Sequence, residues 1–146
     1  MGFNKDLDNY YNAFKRLRKY GIGSKVVCGI GEYYAEKKLG MHHPQNKSYP
    51  TIDGFDSHGN SVQIKTRHWH NMEKKAPYVF RPFHSETLRN VDYALLIILN
   101  EHFGLGEMWR VDRRALKKQI KGKTTSFHLT SGIKKWDGIK QLYPAN

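Results

Sequence analysis

Residues 51–67 read TIDGFDSHGNSVQIKTR, and this stretch contains the pattern that decides the fold. Two short runs with strand character, TIDGFD and NSVQIKTR, flank the tripeptide SHG at residues 57–59. A three-residue hairpin loop commonly ends in a left-handed residue, a conformation that glycine adopts without strain. We therefore predict a β-hairpin that turns at Gly59 and sets Asp53 opposite Gln63.

The second strand of this hairpin carries further polar groups on the same face. Lys65 lies two residues beyond Gln63 and Arg67 two residues beyond Lys65, so the pleat turns all three side chains to one side. A carboxylate, an amide, an ammonium and a guanidinium are thus predicted to converge.

Two helices are predicted before the hairpin. Within residues 4–19, apolar side chains recur at spacings of three and four and form the stripe of an amphipathic helix: Leu7, Tyr10, Tyr11, Phe14 and Leu17. A second helix runs from a cap at Ser24 to Leu39 and ends at Gly40, the residue type favoured just past a helix C-terminus. The polar residues 42–50 are expected to form a loop.

After the hairpin, residues 69–90 show no clean period and are predicted to be an exposed loop region. The run YALLIILN at 93–100 predicts a central buried strand, and EMWRVD at 107–112 a partner strand joined to it by the Gly104–Gly106 turn. Further elements follow in the order of the chain: a basic helix over 113–121 that is capped by Asp112 and ended by Gly122, a short strand over 127–130, and a helix around Ile133–Leu142.

Composition limits the class of protein. The 146 residues suffice for one compact domain, which we divide into an N-terminal helix (1–22), a core (24–121) and a C-terminal extension (124–146). A net charge of +12 and a pI near 9.8 point to a polyanionic partner, nucleic acid before an anionic membrane. The longest apolar run, Tyr93–Leu99, is too short to span a bilayer.

The expected compartment is the cytoplasm. The N-terminal residues contain acids and lack the apolar segment of a secretory signal. The one cysteine, Cys28, fits a reducing compartment and excludes a cysteine-rich zinc site, and we expect it to be a small buried residue.

A helix containing Gly31 and Glu32, followed by Asp53 and then by QIK at 63–65, resembles the PD-(D/E)XK nuclease superfamily. This resemblance covers about residues 24–121. It implies an α/β (α+β), restriction-endonuclease-like αβββαβ core, with a central mixed sheet flanked by helices. It further implies a Mg²⁺-dependent endonuclease of restriction or homing type that acts on DNA, with Mn²⁺ as a substitute metal.

The resemblance also implies roles for individual residues. Asp53, Gln63 and the backbone carbonyl of Ile64 would bind metal, Lys65 would be the catalytic lysine, and Glu32 would add a carboxylate from the first core helix. The chain departs from the usual pattern at Ile52, where proline is common, and at Gln63, where an acid is common. Gln63 keeps an oxygen ligand but removes one negative charge.

Basic side chains are the candidates for contact with nucleic acid. Two groups are predicted to contact phosphates: Arg67, His68, His70 and Lys74 beside the hairpin, and Arg113, Arg114 and Lys117 on the basic helix. Cutting both strands of a duplex with one site per chain leads us to expect a homodimer or a higher homo-oligomer.

Alternative interpretations remain at this point. Glu36 lies one helical turn from Glu32 and could replace it. CGIGEYY at 28–34 superficially matches the GxGxxG dinucleotide fingerprint, but Tyr34 takes the place of the third glycine. His42, His43, His68 and His70 suggest zinc or an HNH nuclease, although the further helical histidine is missing. The acids could simply flank a turn, or the scaffold could bind nucleic acid without cutting it.

Overall fold

A computed structural model describes residues 2–18, 24–42, 51–69, 78–86 and 88–145 of the chain. Helix α1, Gly2–Arg18, buries Leu7, Tyr11 and Phe14, whereas Tyr10 from the predicted apolar stripe is exposed. Helix α2, Ser24–Leu39, has the predicted bounds. It ends at Gly40, which has a φ of 61° and donates its N–H to the carbonyl of Glu36.

The hairpin has the predicted register. Strand β1, Gly54–Phe55, pairs antiparallel with β2, Ser61–His68, with Gly54 opposite Val62. Gly59 has a φ of 82° and closes the turn. Strand β1 is shorter than the predicted run of residues 51–56, and Asp53 lies one residue before it.

Asp56 anchors the base of this turn. Its buried carboxylate accepts hydrogen bonds from the N–H groups of His58 and Asn60, from the Asn60 amide, and from the Tyr93 hydroxyl at 2.8 Å. Burial by itself would raise the pKa of Asp56, but these hydrogen bonds outweigh it and lower the pKa to about 2. The side chain therefore stabilises the hairpin in its ionised form.

The main sheet has the strand order β1-β2-β4-β5-β7. Strand β4, Tyr93–Leu99, is the central strand and is buried at every position, as predicted. It runs parallel to β2 and antiparallel to β5, Leu105–Asp112, and β5 pairs antiparallel with β7, Ile139–Tyr143. Because β2 and β4 are parallel neighbours, the chain between them crosses over a face of the sheet.

Alternate residues of β4 belong to two hydrophobic clusters, one on each face of the sheet. Leu95, Ile97 and Leu99 pack with α1 and α2. Ala94, Leu96 and Ile98 pack with helix α3, Arg113–Gln119, and with Phe80, Phe83 and Leu88. The protein is therefore a mixed α+β fold in which three α-helices of the described residues cover a mixed five-stranded sheet.

Residues 69–90, as far as they are described, match the predicted exposed loop region only in part, because Arg81, Pro82 and His84 are exposed outside helices and strands but other residues are buried in ordered structure. Strand β3, Val79–Phe80, pairs with β6, Phe127–His128, in a separate two-stranded sheet. Phe80, Phe83 and Leu88 are fully buried. These apolar residues have no strand or helix period because they cover the sheet within an irregular crossover.

The C-terminal prediction of a helix around Ile133–Leu142 is wrong. A short 3₁₀ helix, Ile133–Lys135, is followed by Gly138 with a φ of 86° and then by β7, which extends the main sheet. Within residues 124–145, β7 belongs to the main sheet and a further short strand belongs to the small sheet. Helix α3 ends at Gln119 instead of Lys121. Asp112 precedes α3 without a side-chain capping bond, since its carboxylate pairs with Arg110 at 2.9 Å.

No helix in the described part of the chain is long and apolar enough to cross a membrane.

Candidate active site

A polar cleft of about 370 Å³ runs along the open edge of β2. It forms because β1 pairs only with the first two residues of β2, so that no strand of the described chain covers the rest of this edge. Three segments surround the exposed edge. The cleft is lined by Val27, Cys28 and Glu32 of α2, by Asp53, by residues 63–68 of β2, and by Arg81 and Pro82.

Asp53 is held at the floor of this cleft by the backbone of β2. Its N–H donates to the carbonyl of Val62 at 2.9 Å, and its Oδ2 accepts the N–H of Ile64 at 2.7 Å. Asp53 therefore hydrogen-bonds to Val62 and Ile64, the two chain neighbours of Gln63. Gln63 is the residue that was predicted to lie opposite Asp53. A charge-assisted bond from a rigid strand fixes this carboxylate at a defined position.

The same bond indicates the direction of the Ile64 carbonyl. The N–H and the carbonyl of one strand residue point to the same side of the strand. Because the Ile64 N–H points towards Asp53, its carbonyl also points to the open edge of β2. This is the oxygen that the resemblance assigns to a metal.

Gln63 and Lys65 both line the cleft, as the pleat predicts. Gln63 is 8% exposed. Burial lowers the pKa of Lys65, while the nearby charge of Asp53 raises it. The ammonium lies 5.4 Å from the centre of the Phe83 ring, and no carboxylate of the described residues forms an ion pair with it. A half-buried lysine that pairs with no described carboxylate can donate to a group entering the cleft.

Helix α2 brings Glu32 to the cleft through a close approach at Gly31. A Cβ at Gly31 would overlap the Oγ1 of Thr66 and lie 2.8 Å from its Cβ, so the helix packs directly against β2. Glu32, the next residue, lines the cleft, whereas Glu36 is exposed and lies outside its lining. Of the two acids left open by the sequence, Glu32 thus lines the same cleft as Asp53 and Glu36 does not.

Cys28 is not the buried residue that we expected, because its side chain is exposed at the cleft. Surrounding protein atoms, and then the charge of Glu32, raise the pKa of its thiol, while Lys65 lowers it. The thiol is therefore mainly neutral near pH 7, which disfavours a role as nucleophile.

The predicted phosphate-binding residues separate into several groups. Arg67 lines the cleft, but His68 is fully buried, with its Nε2 2.9 Å from the Glu101 carbonyl and its ring against Phe14 and Phe103. His68 belongs to the cleft lining, but its ring has no exposed surface, so the structure lends no support to the predicted phosphate contact of His68. His70 and Lys74 lie outside the described residues. The remaining candidates are on α3, away from the cleft lining: Arg113, Arg114 and Lys117.

Arg81 is a basic residue of the cleft that the sequence did not single out. It follows β3 in the crossover that was predicted to be a loop. Only its flanking phenylalanines, Phe80 and Phe83, could have indicated a fixed position, because both are buried.

The oxygen donors of the cleft suit a hard divalent cation. Asp53 and Glu32 supply carboxylates, Gln63 an amide oxygen and Ile64 a carbonyl, and Mg²⁺ commonly binds through one or two carboxylates and water. The described residues contain no group of three or more His, Cys, Asp or Glu side chains placed to bind a metal. A cation here would therefore depend on two carboxylates and neutral oxygens.

The other motif interpretations do not fit the structure. Gly29 and Gly31 lie inside helix α2, so CGIGEYY cannot form the strand-to-helix turn of a dinucleotide site. The ring of His42 packs on Phe55, and His43 and His70 lie outside the described residues.

A second groove, of about 490 Å³, lies between α1 and α2. Its lining is mainly apolar and includes Phe3, Leu7 and Ile30. We therefore assign the chemistry to the cleft along β2.

No model of a known protein family matches the chain, and no curated protein matches it either.

Proposed function

We propose that this chain is a metal-dependent endonuclease that hydrolyses DNA phosphodiester bonds, of restriction or homing type. One observation carries the proposal: Asp53, Gln63, Lys65 and Glu32, which come from a hairpin and a helix, line one cleft. Carboxylates and a lysine at one site are what metal-assisted attack of water on a phosphodiester requires.

The fold supports an assignment to the PD-(D/E)XK superfamily at the level of its elements. Helix α2 with its acid, the hairpin with Asp53 and Lys65, and the later helix α3 and strand β7 occur in the same chain order as the corresponding elements of an αβββαβ core. The main sheet has four strands between α2 and α3 instead of three. The small β3-β6 sheet would be an addition to this core.

The cleft residues would divide the work between metal binding and water activation. Asp53, Glu32, Gln63 and the Ile64 carbonyl would hold Mg²⁺, or Mn²⁺ in its place. The cation would supply positive charge that polarises the phosphate and acidifies water. The bond from the Ile64 N–H keeps Asp53 oriented.

Lys65 would orient the attacking water and offset negative charge that develops on the phosphate. Burial lowers its pKa, so its proton is given up more readily than that of an exposed lysine. The Phe83 ring positions the ammonium at the cleft.

The wider proposal follows from charge and mechanism. A net charge of +12 favours a polyanionic substrate, and we propose that this substrate is double-stranded DNA. A double-strand cut would use two copies of the chain, as a homodimer or a higher homo-oligomer. We place this activity in the cytoplasm.

A second candidate function is a nucleic-acid-binding module on the same scaffold without catalysis. The neutral Gln63 favours it, and so does the presence of only two carboxylates among the described residues of the cleft, because both weaken the attraction for a cation. Under this alternative, DNA binding survives chelation and no divalent cation binds near Asp53.

The test combines plasmid nicking with metal titration. Asp53→Asn, Glu32→Gln and Lys65→Met are compared with Glu36→Gln, which removes the same charge as Glu32→Gln from an exposed position on the same helix. We expect the Asp53 variant to lose nicking and the Lys65 variant to lose about 100-fold or more of its rate. Calorimetry should show weaker Mn²⁺ binding for Asp53→Asn and Glu32→Gln.

The control Glu36→Gln should cut and bind metal as the parent does. Equal cutting by all four variants would show that the activity comes from another site or from a contaminant. DNA binding by the parent without Mn²⁺ binding or cutting would favour the non-catalytic module.

A further inference from the structure

Two guanidinium groups occupy the end of the cleft beyond Lys65. Arg67 lies on β2 and Arg81 follows β3, and both line the cleft. The Nε of Arg67 donates to the carbonyl of Val79 at 3.1 Å. This bond fixes the direction of the side chain and leaves both Nη groups able to bind a ligand.

Arg81 has an exposed side chain on a fixed backbone. Its neighbours Phe80 and Phe83 are both fully buried. Phe80 pairs with Phe127 across the small sheet, and the N–H of Phe83 donates to the carbonyl of Thr125 at 2.8 Å. The guanidinium therefore starts from a well-held position beside Arg67.

The two guanidinium groups line the same cleft and carry like charges. Burial, and then the charge of Arg81, lower the pKa of Arg67. No carboxylate of the described residues forms an ion pair with either guanidinium. Like charges held together repel each other, and an anion bound between them would relieve that repulsion.

Spacing along β2 relates this pair to Lys65. Alternate residues of a strand are roughly 6.6 Å apart, which is comparable to the separation of neighbouring phosphates in one nucleic-acid strand. Guanidinium groups also bind phosphate oxygens in a bidentate manner. A strand whose one phosphate faces Lys65 would thus present its next phosphate to Arg67 and Arg81.

We propose that Arg67 and Arg81 together bind the phosphate adjacent to the one that faces Lys65. This inference rests on the proposed function, since it assumes that the cleft binds a phosphodiester chain. It adds that the ligand must contain at least two consecutive phosphates along β2, and it assigns Arg81 to substrate binding.

The first test is the salt dependence of binding to a labelled duplex of arbitrary sequence in EDTA, where no cutting is expected. Arg67→Gln/Arg81→Gln should weaken binding and reduce the slope of log K against log salt by about 0.9, the value for one lost phosphate contact, and Arg81→Gln alone should lose part of that slope. Arg16→Gln, an exposed charge on α1, is the control and should keep the parent slope. Arg67→Lys keeps the positive charge but removes the planar guanidinium, which can donate two parallel hydrogen bonds to one phosphate.

The second test uses oligothymidylates with one, two or three phosphates, titrated by NMR. The parent should gain affinity at the second phosphate, and Arg81→Gln should lose that gain. A parent-like slope and a parent-like gain in Arg81→Gln would overturn the inference. Binding and cutting are separate readouts. A reduced salt slope for Arg81→Gln, together with a parent that does not cut DNA, refutes the nuclease alone. A parent that cuts DNA, together with an unchanged salt slope for Arg81→Gln, refutes the arginine pair alone.

Discussion

Gly31 is the residue through which the position of helix α2 can be tested. Alanine at this position adds a Cβ that overlaps the Oγ1 of Thr66 and lies 2.8 Å from its Cβ and Cγ2. Rotation of the threonine can move Oγ1 and Cγ2, but its Cβ stays with the strand. Since carbon atoms make contact at about 3.5 Å, α2 must retreat by roughly 0.7 Å.

Gly29 is a matched control in the same helix, because a Cβ there meets nothing within 4 Å. Replacement of either glycine by alanine improves helix propensity by about 1 kcal/mol, so this gain cancels in the comparison. Overpacking costs about 1–3 kcal/mol and applies only to Gly31→Ala. Gly31→Ala should therefore be less stable than Gly29→Ala by that amount.

The same displacement should move Glu32 away from Asp53. A shift of this size in a metal ligand is expected to weaken Mn²⁺ binding by about 10–100-fold, the range known for disturbed support of a metal site. The two assays are urea denaturation and calorimetry. Thr66→Gly should suppress the loss of stability in Gly31→Ala, and a double-mutant cycle measures that coupling.

Equal stability of the two alanine variants would refute the close packing of α2 on β2. A stability difference without a difference in Mn²⁺ affinity would keep the packing but remove Glu32 from the metal site.

Three further predictions concern the hairpin, the cleft and the buried histidine. The lowered pKa of Asp56 predicts a contribution to stability that is fully present above pH 3.8 and is lost as the pH falls towards 2. Asp56→Asn should lower the free energy of unfolding by about 2 kcal/mol at neutral pH and remove most of this acid dependence. Urea midpoints of the variant that match those of the parent from pH 2 to 6 would contradict this prediction. The pH dependence of alkylation at Cys28 should shift to lower pH in Glu32→Gln and to higher pH in Lys65→Met. A thiol pKa that is the same in the parent and in both variants would mean that these two charges do not lie near Cys28. His68→Ala should lower the free energy of unfolding by about 2–4 kcal/mol and leave the DNA affinity of the folded protein unchanged. Weaker DNA binding at unchanged stability would show that His68 contacts a phosphate.

Local sequence determined the elements whose signals are short-range. The turn at Gly59 and the alternation of residues 61–67 were sufficient for the hairpin register, because a glycine with positive φ limits how the two strands can pair. The uninterrupted apolar run of β4 was sufficient for a central strand, because such a run must be buried on both faces. Helix α2 and its end at Gly40 follow from capping preferences.

Other elements depended on partners distant in the chain. Residues 139–143 form a strand instead of the predicted helix because β5 offers an unpaired edge, where Val111 faces Ile139 and the Gly138 carbonyl accepts the Asp112 N–H at 2.8 Å. Pairing with that edge satisfies backbone groups that a helix would have satisfied internally. Nothing within the segment itself indicates that this partner exists.

The candidate site divides in the same way. Gln63 and Lys65 share a side because the pleat has a period of two, which the sequence by itself determines. The choice of Glu32 over Glu36, the exposure of Cys28 and the presence of Arg81 were decided by tertiary structure. The physical reason is that each depends on packing between segments far apart in sequence: Gly31 lets α2 contact Thr66, and buried phenylalanines fix the crossover that carries Arg81.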